Sequence, residues 1–73
     1  MDSVTTYRLL RHARSGELWA IRLEWQTLTG VSGPLPPGTT RAARLADLVY
    51  DDDRDEAEWI ARYYEEFEVL GAT

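Results

Sequence analysis

Cysteine, lysine and asparagine are absent from this 73-residue chain, and histidine, methionine and phenylalanine occur once each. Without cysteine no disulfide or thiolate cluster can stiffen a small fold. Without lysine there is neither Schiff-base chemistry nor the lysine of a phosphate-binding P-loop. The single histidine, His12, would need carboxylates alone to complete a zinc site, an uncommon donor set for that ion. Long apolar runs are missing as well: none approaches the ~18 residues that span a bilayer. The first residues, Met1-Asp2-Ser3-Val4, lack the basic-then-apolar profile of a secretory signal. These absences lead us to expect a cytoplasmic protein, unattached to membrane, with no metal and no other cofactor. Arginine, alanine and glycine are common, so the overall bias is that of a GC-rich coding sequence and points to a bacterium or a phage.

The chain is long enough for one domain, residues 1–73, but a core of this size supplies only about 3 to 5 kcal/mol. Three tryptophans, four tyrosines and the phenylalanine offset this in part, since each buried aromatic removes about 150 to 250 Å² from water. A homo-oligomer or a permanent partner would supply the rest.

Charge is distributed unevenly. Residues 1–46 carry six arginines against Asp2, Glu17 and Glu24, a balance of +3, whereas residues 47–73 carry ten carboxylates against Arg54 and Arg62, a balance of −8. Clustered charge of one sign steers partners of the other sign.

Two strand-like runs, Val4 to Ala13 and Glu17 to Trp25, flank Ser15-Gly16, a dipeptide suited to a two-residue hairpin turn. That turn would set Arg14 opposite Glu17, His12 opposite Trp19, Leu10 opposite Ile21 and Arg8 opposite Leu23. Leu10, Trp19, Ile21, Leu23 and Trp25 then form the core face, and Tyr7, Leu9, Arg11, Arg22 and Glu24 the watered face. Residues 26–33 are rich in β-branched residues and suit a third antiparallel strand, weakened by its glycines. Pro34-Leu35-Pro36-Pro37-Gly38 is expected to leave the sheet, because proline cannot donate to a ladder. Thr39 or Thr40 then caps a short middle helix with Ala42, Leu45, Leu48 and Val49 on one side. Asp53, three residues before Glu56, resembles a capping box and predicts a helix from Arg54. Ala57, Ile60, Tyr64 and Phe67, widened by Tyr63 and Leu70, give it one apolar stripe as far as Gly71. The expected fold is α+β: a three-stranded antiparallel sheet with a short middle helix and a C-terminal amphipathic helix packed on one face.

Asp51, Asp53 and Asp55 occupy the first, third and fifth positions of a calcium loop, but Glu56 stands where the turn needs glycine and Arg62 where a bidentate glutamate belongs. A solvated, helix-capping turn accounts for the aspartates. Ser3, Ser15 and Ser32 lack a nucleophile-elbow context. Glu65 with Glu66 and Asp52 with Asp53 are sequence neighbours that diverge on a helix and do not form a glycosidase pair. Gly30, Gly33 and Gly38 match no nucleotide cradle. Arg8, Arg11, Arg14 and Arg22 with Tyr7 suggest a phosphate-binding sheet face, but a net charge of −5 opposes nucleic acid as a partner.

With no catalytic signature, the expectation is a non-enzymatic, acidic protein-binding module. Its surface would comprise Asp51, Asp52, Asp55, Glu56, Glu58, Trp59, Tyr63, Glu65 and Glu66, and its partner a basic protein or a second copy of itself. A narrower alternative has the carboxylates imitate a phosphate track and block a nucleic-acid-binding protein such as a host-defence factor. A third, from the enzyme class, is a homodimer whose pocket forms between subunits and uses Asp, Glu or His12 as acid or base.

Overall fold

A computed structural model of the chain describes residues 4–39, 44–52 and 54–72, apart from the side chain of Arg54. Its frame is an antiparallel sheet of four strands, β1 (Thr5–His12), β2 (Leu18–Glu24), β3 (Thr27–Leu35) and β4 (Phe67–Ala72), in the spatial order β3-β2-β1-β4. One α-helix, α1 (Arg54–Arg62), and two 3-10 turns, Leu45–Asp47 and Tyr64–Glu66, complete the described elements. This is a small mixed α+β fold, but its four strands and single helix replace the expected three strands and two helices.

The β1–β2 hairpin forms, with a longer loop than expected. His12 N–H donates to the Glu17 carbonyl at 2.8 Å and Gly16 N–H to the His12 carbonyl at 2.8 Å, so four residues turn the chain, with Gly16 at φ +76. Leu10 consequently faces Trp19 and Arg8 faces Ile21. The register differs by two residues from the expected one, and because side chains alternate with period two every residue keeps its face.

Between β2 and β3 the turn is Trp25-Gln26, both at positive φ (53 and 66). This is the mirror-image turn whose twist suits a hairpin, held although a bulky side chain disfavours that backbone region. It carries Trp25 out of the core face to which we had assigned it: the residue is 76% exposed. Pro34 also departs from expectation by staying in β3. It sits where the ladder slips, between the Leu18↔Leu35 and Ala20↔Ser32 pairs, on an edge strand, where a missing N–H is tolerated.

Both faces of the sheet are covered. On one, Leu10, Trp19, Ile21, Leu23 and Val31 pack with Ile60 of α1 and Phe67 of β4. On the other, Leu9 and Ala20 pack with Leu45, flanked by Tyr7, Leu35, Leu48, Tyr50 and Leu70. The face expected to meet water is thus a second core.

Its cover is the segment expected to be the middle helix, which among the described residues contributes only the 3-10 turn Leu45–Asp47. Arg44 and Leu48 are extended on either side of that turn, Tyr50 Oη donates to the Leu45 carbonyl at 2.8 Å, and Asp51 exchanges two 2.8 Å backbone hydrogen bonds with Val31. A chain held at these points crosses the sheet extended rather than coiled. Leu45 is buried, but Val49, expected beside it, is 81% exposed; Thr40 and Ala42 lie outside the described residues.

Helix α1 begins at Arg54 as its sequence predicts, while the proposed cap, Asp53, lies outside the described residues. The helix ends at Arg62, nine residues short of Gly71. Tyr63 leaves helical geometry (φ −109, ψ 29), and Phe67–Ala72 becomes β4, paired antiparallel with β1. The free backbone edge of β1 overrides the helical stripe: pairing satisfies donors and acceptors of a strand whose side chains are already buried. Phe67 still reaches the core, from a strand.

Three substitutions test this packing. A Cβ on Gly33 would stand 2.8 Å from Trp19 Cε3, at a backbone φ of +143. Gly33→Ala should therefore lower the urea midpoint by the equivalent of about 1 to 3 kcal/mol, and Ile60→Ala by about 2 to 5. On the second face, burial and the nearby Tyr7 push the Tyr50 hydroxyl from 10.0 up to about 12, against a smaller opposing effect of Arg22. The folded chain then holds this proton where the unfolded chain has lost it. The stabilisation is complete below pH 10 and declines as pH rises from about 10 toward 12. Urea melts across that window should show a shallower decline for Tyr50→Phe than for the wild type, with no lysine titrating in the same range.

Candidate acidic interface on helix α1

Strand β4 lies against β1, so part of the acidic half folds directly onto the arginines of the first half. Arg11 donates to Glu68, Arg14 Nη2 to Glu66 Oε2 at 3.1 Å, and Arg44 pairs with Asp47 at 3.4 Å. The segregation seen along the sequence is partly neutralised in space.

His12 shares in this pairing. Its ring lies against Phe67 (centroids 4.9 Å apart) and Trp59 (5.7 Å), rather than against Trp19 alone as the sequence suggested. The Ser15 backbone N–H points at Nδ1 (3.3 Å), which makes Nδ1 the acceptor and leaves the ring proton on Nε2, 3.1 Å from Glu66 Oε1. Ser15 Oγ is 3.1 Å from Nδ1. Serine, imidazole and carboxylate thus follow the order of a nucleophile, its base and its orienting group. Ser15 Oγ also accepts the Glu17 N–H at 3.2 Å and lies on an exposed turn. The chain of bonds ties the hairpin loop to the Tyr64–Glu66 turn.

The carboxylates around α1 are arranged differently. Asp55, Glu58, Trp59 and Arg62 recur at intervals of three, one and three residues and so share a helical face; with Ala61 and Tyr63 they line an open groove of about 480 Å³. Trp59 is half-buried, its ring set edge-on to Trp19 (5.8 Å) and Phe67 (5.4 Å), so it forms a rigid floor rather than the exposed aromatic expected. Tyr63 is 42% exposed. A second open groove of about 380 Å³ runs along the other flank of Glu58, lined by Leu28, Thr29, Asp52 and Ala57.

Of the surface named from sequence, the fold gathers Asp52, Asp55, Glu58, Trp59 and Tyr63 around these two grooves. Glu56 is half-buried and Glu65 exposed on the 3-10 turn; Asp51 is exposed with its backbone tied to β3, and Glu66 is turned inward to His12 and Arg14. Among the described residues Asp51, Asp52, Glu56, Glu58 and Glu65 enter no salt bridge. Sequence reasoning missed Leu28 and Thr29, whose place beside Asp52 depends on how α1 crosses β3.

No cluster of three or more metal-ligating side chains occurs among the described residues, and no described helix is long and apolar enough to cross a membrane. Comparison with protein-family models, curated proteins and solved structures found no match.

Glu66 joins an imidazole to a guanidinium, and its neighbour Glu65 enters no salt bridge among the described residues. Glu66→Ala should cost about 0.5 to 1.5 kcal/mol in urea melts, whereas Glu65→Ala should stay within about 0.5 kcal/mol of wild type. Equal midpoints would remove the stapling role.

Proposed function

We propose that the chain is a small, non-enzymatic protein-binding module that takes a basic partner on the α1 surface. One observation carries this reading. Among the described residues, Asp47, Glu66 and Glu68 are drawn into salt bridges while Asp52, Glu56, Glu58 and Glu65 enter none, and Asp52 and Glu58 flank grooves that hold aromatic and aliphatic surface. Charge of one sign speeds encounter with a basic surface; a rigid tryptophan and a half-exposed tyrosine then provide apolar contact of the kind that dominates binding energy. Arg62, on the same groove, offers a hydrogen-bond fork to a carbonyl or carboxylate of that partner.

The nucleic-acid-mimic version uses the same carboxylates and differs in what the partner does elsewhere. A mimic occupies the partner's nucleic-acid groove, so duplex DNA or RNA competes with it. A partner held by another surface is indifferent.

The test is affinity capture from cells of the encoding organism, at low and high salt, with the wild-type chain and the triple variant Asp52→Arg/Glu58→Arg/Glu65→Arg as baits. Captured partners are then measured in purified form. Association with the wild type should slow steeply as salt rises, because a Debye length of about 8 Å at physiological ionic strength screens the steering. The triple variant should fold normally and lose most of its association rate. Binding that ignores salt and tolerates the triple reversal would leave the carboxylates as a solubility device.

A further inference from the structure

We propose that the outer edge of β4 pairs with the same edge of a second copy, joining two four-stranded sheets into one of eight strands. The sheet has two edges, β3 and β4, and among the described residues β3 is the more heavily guarded. On β3, Pro34 has no N–H to offer, two register slips distort the ladder, and Asp51 takes both the N–H and the carbonyl of Val31 at 2.8 Å. These are devices by which native sheets refuse further strands. On β4 a single register shift, at Leu70 between the Leu9↔Gly71 and Leu10↔Val69 pairs, interrupts the ladder, no described strand or bridge lies beyond Phe67–Ala72, and the segment contains no proline and no lysine. Its exposed side chains include Val69, 46% accessible, followed by half-buried Leu70 and Gly71.

Charge selects the occupant. The chain as a whole carries −5, so two copies repel over most of their surfaces. The β4 flank is an exception: its one charged residue, Glu68, is paired with Arg11, and the adjoining Glu66 with Arg14 and His12. A basic protein is drawn to the carboxylates of α1 and finds no excess charge here. A second copy meets a neutral, apolar strand identical to its own, and a two-fold axis lets that strand complement itself. Any antiparallel register not centred on Glu68 keeps the two Glu68 carboxylates apart.

Sedimentation equilibrium of the full chain over roughly 5 to 500 µM should reveal a monomer–dimer equilibrium. Val69→Lys places a charge on the edge and should raise the dissociation constant at least about tenfold, with far-UV circular dichroism and urea midpoint kept. Trp25→Ser, at the far end of the β2–β3 hairpin, should leave it unchanged. In a mixture of differently isotope-labelled copies, nuclear Overhauser contacts between β4 backbones of the two copies should appear, a readout that requires no variant. A wild type monomeric over the whole range, a dimer that Val69→Lys does not weaken, or inter-copy contacts confined to other strands would each overturn the proposal. Each outcome is read without a basic partner, so binding at a single α1 groove stands or falls by its own test.

Discussion

Strand β1 imposes the constraint on which the remaining architecture depends. Leu9 and Leu10 are adjacent, so their side chains point to opposite faces, yet they are 1% and 0% exposed. A strand buried on both faces needs a cover above and below, and a neighbour on each edge. Helix α1 covers one face and the Leu45–Tyr50 segment the other, with β2 and β4 as the neighbours. Each of those two leucines contributes roughly 1.5 to 3 kcal/mol by its burial, a large share of what so small a core can supply. The course of the chain after β3 follows: it crosses the second face, is fastened to β3 at Asp51, passes over the first face as α1, and returns to the open side of β1.

The same return determines the electrostatics. The sequence reads as a basic half followed by an acidic half, and long-range steering is the natural inference from that order. Antiparallel pairing of β4 with β1 instead places Glu68 beside Arg11 and Glu66 beside Arg14 and His12. The exposed Arg11–Glu68 and Arg14–Glu66 ion pairs add little stability by themselves, but they neutralise one side of the molecule. Among the described residues the carboxylates outside these pairs include Asp51, Asp52, Glu56, Glu58 and Glu65 on and beside α1, with Glu17 and Glu24 standing apart on the β1–β2 hairpin. The unevenness survives folding as a smaller and more localised feature than the count along the sequence implies.

Much of the local structure was legible, and the failures share a cause. Turn residues and apolar alternation located β1, β2, β3 and the start of α1, because these signals act within a few residues. The second core was also written locally, in the uninterrupted run Leu18-Trp19-Ala20-Ile21, which fits a strand covered on both sides; sorting residues into one dry and one wet face hid it. The fate of residues 67–72 was not local. Ala57, Ile60, Tyr64 and Phe67 satisfy a helical stripe, and Phe67 reaches the core from either a helix or a strand, so periodicity alone could not decide. The unfilled edge of β1 decided it. Glu66 and Glu68, two apart like the residues of one strand face, were the available hint that this stretch answers Arg11 and Arg14. Asp55, Glu58 and Trp59 stand together because their spacing places them on one face of a helix, while the place of Leu28 and Thr29 beside Asp52 depends on the crossing of α1 over β3.

The two proposed surfaces are coupled by geometry. Neighbouring antiparallel strands are related by a two-fold axis perpendicular to the sheet, which exchanges the copies without turning either one over. Pairing through β4 therefore leaves α1 of both copies on the same side of a continuous sheet, with the covered second faces on the other. On the two proposals together, two acidic grooves facing one direction would engage a partner with repeated or extended basic surface at a raised effective concentration, so modest affinity at each groove would be multiplied rather than added. A single basic site gains nothing from the arrangement. The neutralisation of Glu66 and Glu68 would then serve both proposed surfaces, since it removes repulsion from the edge where two copies would meet and leaves the carboxylates of α1 as the charged face open to a partner.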